Sequence, residues 1–100
     1  MDTRIQYSIL GALSDDYEDF ETTFAEAGAS ALTYGFSLSR QEMHEALAEL
    51  TKSGLVQAYL LSPYPPHAQE VDFDLNRIHE LWFYVTPEGK RFVENMDQHP

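Results

Sequence analysis

The chain has no cysteine among its 100 residues. Disulfide bonds and thiolate metal sites are therefore excluded, and the composition suits a reducing compartment. The chain also lacks an apolar run near the roughly 20 residues that a membrane-spanning helix needs. Its first residues, Met-Asp-Thr-Arg, are not the basic start of a secretory signal peptide. The sequence therefore predicts a soluble, cytoplasmic protein.

Basic residues are scarce: 6 Lys and Arg stand against 17 Asp and Glu, so the net charge is −11. Such a field repels nucleic acid and anionic membranes at long range. One interpretation of the acidic surplus is a solvated surface that favours solubility. The other is a surface for a basic partner or a mimic of DNA.

Length and composition suit one folded domain over residues 1–100, since apolar residues make up 43% and aromatics 13% of the chain. Ile5 and Ile9 at helical spacing predict a first helix from about Thr3 to Leu13. A longer run of apolar residues at helical spacing predicts a second helix from about Asp16 to Tyr34. Ser14-Asp15-Asp16 would cap its start and Gly35 would end it. An alternative ends this helix at Gly28, because glycine is a poor helix former.

The opening of the second helix is rich in acids and has no lysine or arginine. Acids at a helix N-terminus complement its dipole, which is a sufficient structural reason for them. A calcium or magnesium site is the alternative, since carboxylates are ligands for hard cations. The acids are Asp15, Asp16, Glu18, Asp19, Glu21 and Glu26.

The third helix has the clearest boundaries. Ser39 and Glu42 match the capping box, in which each side chain bonds the other residue's backbone amide. An apolar stripe then runs from Met43 to Leu50, and Ser53-Gly54 closes the helix.

Two strands are predicted in the second half, Leu55–Leu61 and Leu81–Val85. Residues 62–80 between them form a long insertion rich in proline at its start, in which Asp74 is placed to cap a short helix. Pro87 suits the first turn of a last helix, whose apolar side is Phe92, Val93 and Met96. The tail 97–100 is expected to fray.

Two runs in this half resemble bacterial winged-helix regulators of the PadR and MarR kind. They are ALAELTKSGLV at positions 46–56 and WFYVTPEGKR at positions 82–91. The resemblance covers about half the chain and implies an α+β fold. This fold is a winged helix with a helical N-terminal part, a recognition-type helix, a two-stranded wing with a long insertion and a C-terminal helix.

The resemblance also implies where nucleic acid would bind. The recognition helix would run from Arg40 to Ser53, with its exposed positions at Arg40, Gln41, His44, Glu45, Ala48, Glu49 and Lys52. The candidate DNA contacts are Arg40, Gln41, His44 and Lys52, with Arg77 from the wing. Both segments are poor in positive charge, whereas DNA affinity comes mainly from neutralised phosphates.

The sequence contains no complete catalytic or metal-binding motif. Asp72-Phe73-Asp74 begins like a calcium loop, but Arg77 and Phe83 stand where its glycine and glutamate are required. His44-Glu45 and His79-Glu80 lack the second histidine of a zinc protease motif. The sequence therefore predicts a protein without enzymatic activity and without a cofactor.

Aromatic residues of the strands are the remaining candidates. Tyr59, Trp82 and Tyr84 are expected on the outer face of the hairpin, as an exposed patch suited to a protein partner or a second copy. The alternative is that the insertion or the last helix covers them. The leading functional hypothesis is a non-catalytic module for protein–protein interaction, including self-association. A DNA-binding transcriptional regulator is the alternative, and it follows from the family resemblance alone.

Overall fold

The computed structural model describes the backbone of residues 2–97 and the side chains of residues 2–95. Within this range the chain is α+β, as predicted, with four α helices and a four-stranded antiparallel sheet. The elements in chain order are α1 (Thr3–Ala12), β1 (Glu18–Asp19), α2 (Phe20–Thr33), α3 (Arg40–Lys52), β2 (Val56–Leu61), β3 (Ala68–Val71), a 3-10 helix (Leu75–Arg77), β4 (Trp82–Val85) and α4 (Pro87–Asp97).

The sheet has the strand order β1-β4-β2-β3. The predicted pair of strands, β2 and β4, lies at its centre, with Tyr59 directly opposite Trp82. The prediction of a two-stranded wing was therefore incomplete, because β3, which lies inside the predicted insertion, pairs with β2. The sequence Ala-Gln-Glu-Val has little intrinsic strand propensity, so pairing with β2 decides its conformation.

The predicted insertion 62–80 is largely structured. Residues 62–67 form the turn between β2 and β3, and the 3-10 helix follows β3. Asp74 caps this short helix as predicted, accepting a hydrogen bond from the Asn76 amide at 3.0 Å. Ile78 is buried at its end and anchors the segment in the core.

The start of α2 differs from the prediction. Glu18 and Asp19 pair with β4, so the helix begins at Phe20 rather than near Asp16. Asp19 provides the cap, accepting from the Thr22 amide at 2.8 Å. Pairing with the sheet holds residues 18–19 extended, which moves the cap from the predicted Ser14-Asp15-Asp16 to Asp19.

The other helix boundaries follow the predictions closely. α2 continues through Gly28 to Thr33, and Gly35 follows with φ of 83°. Both hydrogen bonds of the capping box are present at the start of α3. Gly54 has φ of 80° after α3, a left-handed conformation that favours glycine. Asp97 is the last residue of α4, while the rest of the predicted frayed tail and the Met96 side chain lie outside the described residues.

The core is formed between the helices and one face of the sheet. Leu81, Phe83 and Val85 point inward from β4 and its approach, on the face opposite Trp82 and Tyr84. Alternating burial along β2 likewise turns Val56 and Ala58 inward. The helices contribute the remaining large buried side chains, which are Ile9, Leu10, Leu13, Phe20, Met43, Leu47 and Leu50.

A set of contacts joins the end of α3 to the start of α4. The Thr86 hydroxyl donates to the Gly54 carbonyl at 2.6 Å and accepts from the Gly89 amide at 3.1 Å. The Thr86 amide donates to the Leu55 carbonyl at 3.0 Å. A Cβ at position 89 would overlap both this carbonyl oxygen and Val85 Cγ2. Gly89 is therefore required for the close approach of α4 to the start of β2.

Candidate interaction surfaces

Arg40, the first residue of α3, is held against α2. Its guanidinium donates two hydrogen bonds to the Glu21 carboxylate, at 2.7 and 3.1 Å. It also lies over the rings of Phe20 and Phe24, 5.5 and 5.0 Å from their centroids. Hydrogen bonding to Arg40 lowers the pKa of Glu21, and the same bond raises the pKa of Arg40. This predicted DNA contact is thus already occupied by a carboxylate of its own chain.

The other arginines are also paired with nearby acids. Arg4 meets Asp2 at 3.0 Å, Arg77 meets Glu80 at 3.2 Å, and Arg91 meets Glu88 at 2.9 Å. All three pairs are exposed, so each contributes little to stability. Their consequence is local neutralisation: each cation has an anion beside it.

The two lysines lie in different surroundings. Lys90 reaches back to β4, where its ammonium donates to the Tyr84 hydroxyl at 3.1 Å and lies 5.2 Å from the ring centroid. Lys52 is exposed at the end of α3, and no ion pair joins it to any side chain within residues 2–95. Of the predicted DNA contacts, Lys52 alone is therefore a cation without an acidic partner in this part of the chain.

Two positions of α3 predicted to be exposed are partly buried. His44 has its ring 5.0 Å from that of Phe20, and its Nε2 is buried without a hydrogen-bond partner among the described residues. Ala48 is also partly buried. The expectation was wrong for these residues because Phe20 packs on His44, while Ala48 lines a groove beside Ala58 and Phe73.

What remains exposed on α3 is mainly acidic. Gln41 is exposed and donates to Glu45 at 2.8 Å. A groove of about 420 Å³ lies between α1 and α3, with Ile5 and Ala46 among its lining residues. Its other lining residues are all acids: Asp2, Glu42, Glu45 and Glu49.

The acids around the start of α2 do not form a cation site. Within the described residues, no group of three or more His, Asp or Glu side chains is arranged to hold a metal ion. Asp19 is used as the helix cap, and burial, followed by repulsion from Glu26, Asp16 and Asp19, raises the pKa of Glu18. The helix-dipole explanation applies to Asp19 and Glu21, which lie at the cap and in the first turn of α2.

The outer face of the sheet carries a cluster of aromatic side chains, which we call the aromatic face: Tyr17, Tyr59, Trp82 and Tyr84. Tyr17 packs edge-on against Tyr59 with centroids 4.8 Å apart and lies 5.0 Å from the Tyr84 ring. All four residues are partly exposed. Burial is the main cause of the raised pKa of Tyr59. The structure thus brings together the three predicted partner-binding residues.

The aromatic face is neither the exposed patch that was expected nor fully covered by the insertion or the last helix. The patch is not fully open, and Tyr17 from the segment before β1 supplies part of the packing. The Lys90 ammonium of the last helix lies over the Tyr84 ring. Sequence reasoning missed Tyr17 because it assigned this residue to the amphipathic second helix. The pairing of residues 18–19 with β4, which directs Tyr17 to the sheet, leaves no clear sequence signal.

A second exposed feature was also missed. Tyr64 lies in the turn 62–67 and is 75% exposed. Its neighbours Pro63, Pro65 and Pro66 exclude regular strand pairing there, so the sequence did contain a signal for an aromatic residue on a surface turn. Leu32 on α2 is similarly exposed, at 72%.

No helix within residues 2–97 has both the length and the apolar character that a membrane span requires. Compared with known proteins, the chain matches no family model, no curated protein and no solved structure.

Proposed function

We propose that this chain is a non-catalytic module of winged-helix type that binds protein, either another chain or a second copy of itself. The order of elements supports the winged-helix assignment. α3 leads through Gly54 into β2, and β4 leads through Thr86 and Pro87 into α4. This is the order in which the resembled regulators enter and leave the wing. In this interpretation, β3 and the 3-10 helix are additions between the two wing strands.

The two sequence runs that carry the resemblance contact each other. Thr86 from the second run bonds to Gly54 and Leu55 from the first, and Gly89 packs directly on the Leu55 carbonyl. Both runs thus have a packing reason that involves no ligand. The resemblance therefore supports a fold, whereas the function depends on the exposed side chains.

The pairing of the arginines is the observation that carries the functional proposal. Lysines and arginines that neutralise phosphates supply most of the affinity of a protein for DNA. Here all four arginines lie beside carboxylates of the same chain, and the net charge is −11. A duplex approaching α3 would meet Glu45 and Glu49 before any free cation except Lys52. The arrangement favours a protein partner over DNA.

The aromatic face supplies a surface for such a partner. Tyrosine and tryptophan are enriched in protein interfaces, because one ring combines a large apolar area with a polar group. The contacts of Tyr17 with Tyr59 and Tyr84 hold these rings in fixed orientations. The side chains of this face would therefore lose little conformational entropy when a partner binds.

The proposal is tested by affinity capture from a lysate of the source cells, with the wild-type chain and the variants Trp82→Ala and Leu32→Ser as baits. We expect a specific partner, or an endogenous copy of the chain, to be retained by the wild type and by Leu32→Ser and lost with Trp82→Ala. Circular dichroism of each bait checks that it is folded. Equal retention by all three folded baits would contradict the assignment of the aromatic face as the interface.

A further inference from the structure

The turn between β2 and β3 presents an apolar projection without charge. Tyr64 is 75% exposed at its tip, flanked by Pro63, Pro65 and Pro66. The turn is closed by the Ser62 amide, which donates to the His67 carbonyl at 2.9 Å. Residues 53–69 contain no Asp, Glu, Lys or Arg. In a chain of net charge −11, an uncharged projection with an exposed aromatic tip needs an explanation.

Tyr64 does not pack on the aromatic face of its own chain. It follows Tyr59 by five positions, which separates them by about 16 Å along an extended hairpin at about 3.3 Å per residue. The aromatic face remains partly exposed. The same sheet therefore carries a projecting aromatic residue, at the turn between β2 and β3, and an aromatic surface able to receive one, formed by β2, β4 and the segment before β1.

We propose that a second copy of the chain occupies the aromatic face, with Tyr64 of each copy packing on Tyr59 and Trp82 of the other. This inference rests on the proposed function and commits it to self-association. Under a two-fold axis each contact is made twice, so that each copy places its Tyr64 on the aromatic face of the other. Such an interface is isologous and closes as a dimer rather than extending into a fibre.

Charge favours a second copy at this place. Two chains of net charge −11 repel each other, so a self-contact is least unfavourable where the approaching segment is uncharged. The turn 62–67 meets that condition. The receiving face is bordered by one cation, Lys90 at Tyr84, and by two acids, Glu70 opposite Tyr59 and Asp19 opposite Trp82 in the sheet. An approaching turn thus adds no pair of like charges.

The contact area is sufficient for a weak dimer. A buried tyrosine removes about 200 Å² from solvent, and the surface that it covers removes a similar area. Two reciprocal contacts, with the flanking prolines, reach about 1,000 Å², the lower limit for a specific interface. We therefore expect a dissociation constant on the order of 10 to 100 μM rather than a permanent dimer.

The first test is sedimentation equilibrium of the purified chain from about 10 μM to about 1 mM, a range that brackets this affinity. We expect the average mass to rise from that of one chain towards that of two. Because like net charges oppose the association, added salt should strengthen it. A strict monomer over the whole range at high salt would overturn the inference, while capture of a different protein through Trp82 would leave the proposed function standing.

The contact is identified by variants. Tyr64→Ser changes an exposed turn residue and should weaken dimerisation about 10-fold or more, which is the effect of losing an interface anchor. Leu32→Ser removes an equally exposed apolar side chain on α2 and should leave dimerisation unchanged. Weakening by Leu32→Ser with no effect of Tyr64→Ser would overturn the inference and direct attention to α2.

A mixture of Tyr64→Ser and Trp82→Ala chains gives the sharpest test. In the mixed dimer, the Trp82→Ala copy still offers Tyr64 to an intact Trp82 on the other copy, so one complete contact is retained. We expect the mixed dimer to be tighter than the geometric mean of the two variant homodimers by more than the statistical advantage that any pair of unlike chains has, because the lost contacts are then coupled in one site. Simple additivity in the mixture would overturn the direct contact between Tyr64 and Trp82.

Discussion

The Thr86 hydroxyl donates a hydrogen bond to the Gly54 carbonyl across 2.6 Å, joining two residues that are 32 positions apart in the chain. The same oxygen accepts from the Gly89 amide at 3.1 Å and so caps α4. One side chain thus satisfies a carbonyl just after α3 and an amide at the start of α4. If either bond were lost, a backbone group at a helix end would have no partner.

Replacing Thr86 by Val keeps the shape of the side chain and removes both bonds. We expect the free energy of unfolding to fall by about 1 to 2 kcal/mol, the usual effect of losing a helix cap. Thr33→Val is the matched control, because the exposed Thr33 hydroxyl only bonds the Ala29 carbonyl within its own helix. Urea unfolding of both variants measures the difference, and equal midpoints would show that the Thr86 bonds contribute nothing.

Gly89→Ala and Gly28→Ala should have opposite effects. At position 89 the new methyl group overlaps the Leu55 carbonyl oxygen and Val85, and overpacking of this kind destabilises by roughly 1 to 3 kcal/mol. At position 28 no atom lies within 4 Å of the added Cβ, so alanine should stabilise α2 by up to about 1 kcal/mol. Thermal unfolding compares the two, and a neutral Gly89→Ala would disprove the close approach of α4 to β2.

The acid limb of stability should depend on Glu42. The Ser39 amide and side chain hold the pKa of Glu42 below its ordinary value of 4.5 in the folded chain. A lowered folded pKa means that the contribution is complete above about pH 4.5 and is lost as pH falls through the folded value. We therefore expect Glu42→Gln to lower stability at pH 7 and to flatten the decline between pH 5 and pH 3, a window of about two units around that pKa.

Glu49→Gln is the control for this experiment. It removes the same charge from α3, but the Glu49 carboxylate accepts no hydrogen bond from the described residues, since only its backbone carbonyl does so. Chemical denaturation at a series of pH values gives the slope for each variant. An acid limb that is identical in the wild type and in Glu42→Gln would refute the role of the capping box in pH dependence.

The helices and the two central strands followed from local signals in the sequence. Ser39 with Glu42 marked the start of α3, and alternation placed Trp82 and Tyr84 together on the outer face of their strand. β1 and β3 were not predicted, because residues 18–19 and 68–71 become strands only by pairing with distant partners. The same dependence on tertiary contacts explains why Tyr17 was placed in a helix rather than on the aromatic face.

The predicted site residues show a similar division. Tyr59, Trp82 and Tyr84 share one face because strand alternation and register determine it, and alternation can be read from the sequence. The pairing of Arg40 with Glu21 could not be read, since it joins positions 19 apart through the packing of two helices. Counting free cations on α3 therefore required the structure.

A single titration tests most directly whether this chain binds nucleic acid. The purified chain is added to labelled random duplex DNA at low salt, beside the triple variant Glu21→Gln, Glu80→Gln and Glu88→Gln. This variant frees Arg40, Arg77 and Arg91 from their partners and changes the net charge from −11 to −8, since three acids are removed. We predict that the wild type does not bind. The variant should show measurable, salt-sensitive binding if the freed arginines share one surface. Binding by the wild type with a steep salt dependence would contradict the account and favour a DNA-binding regulator.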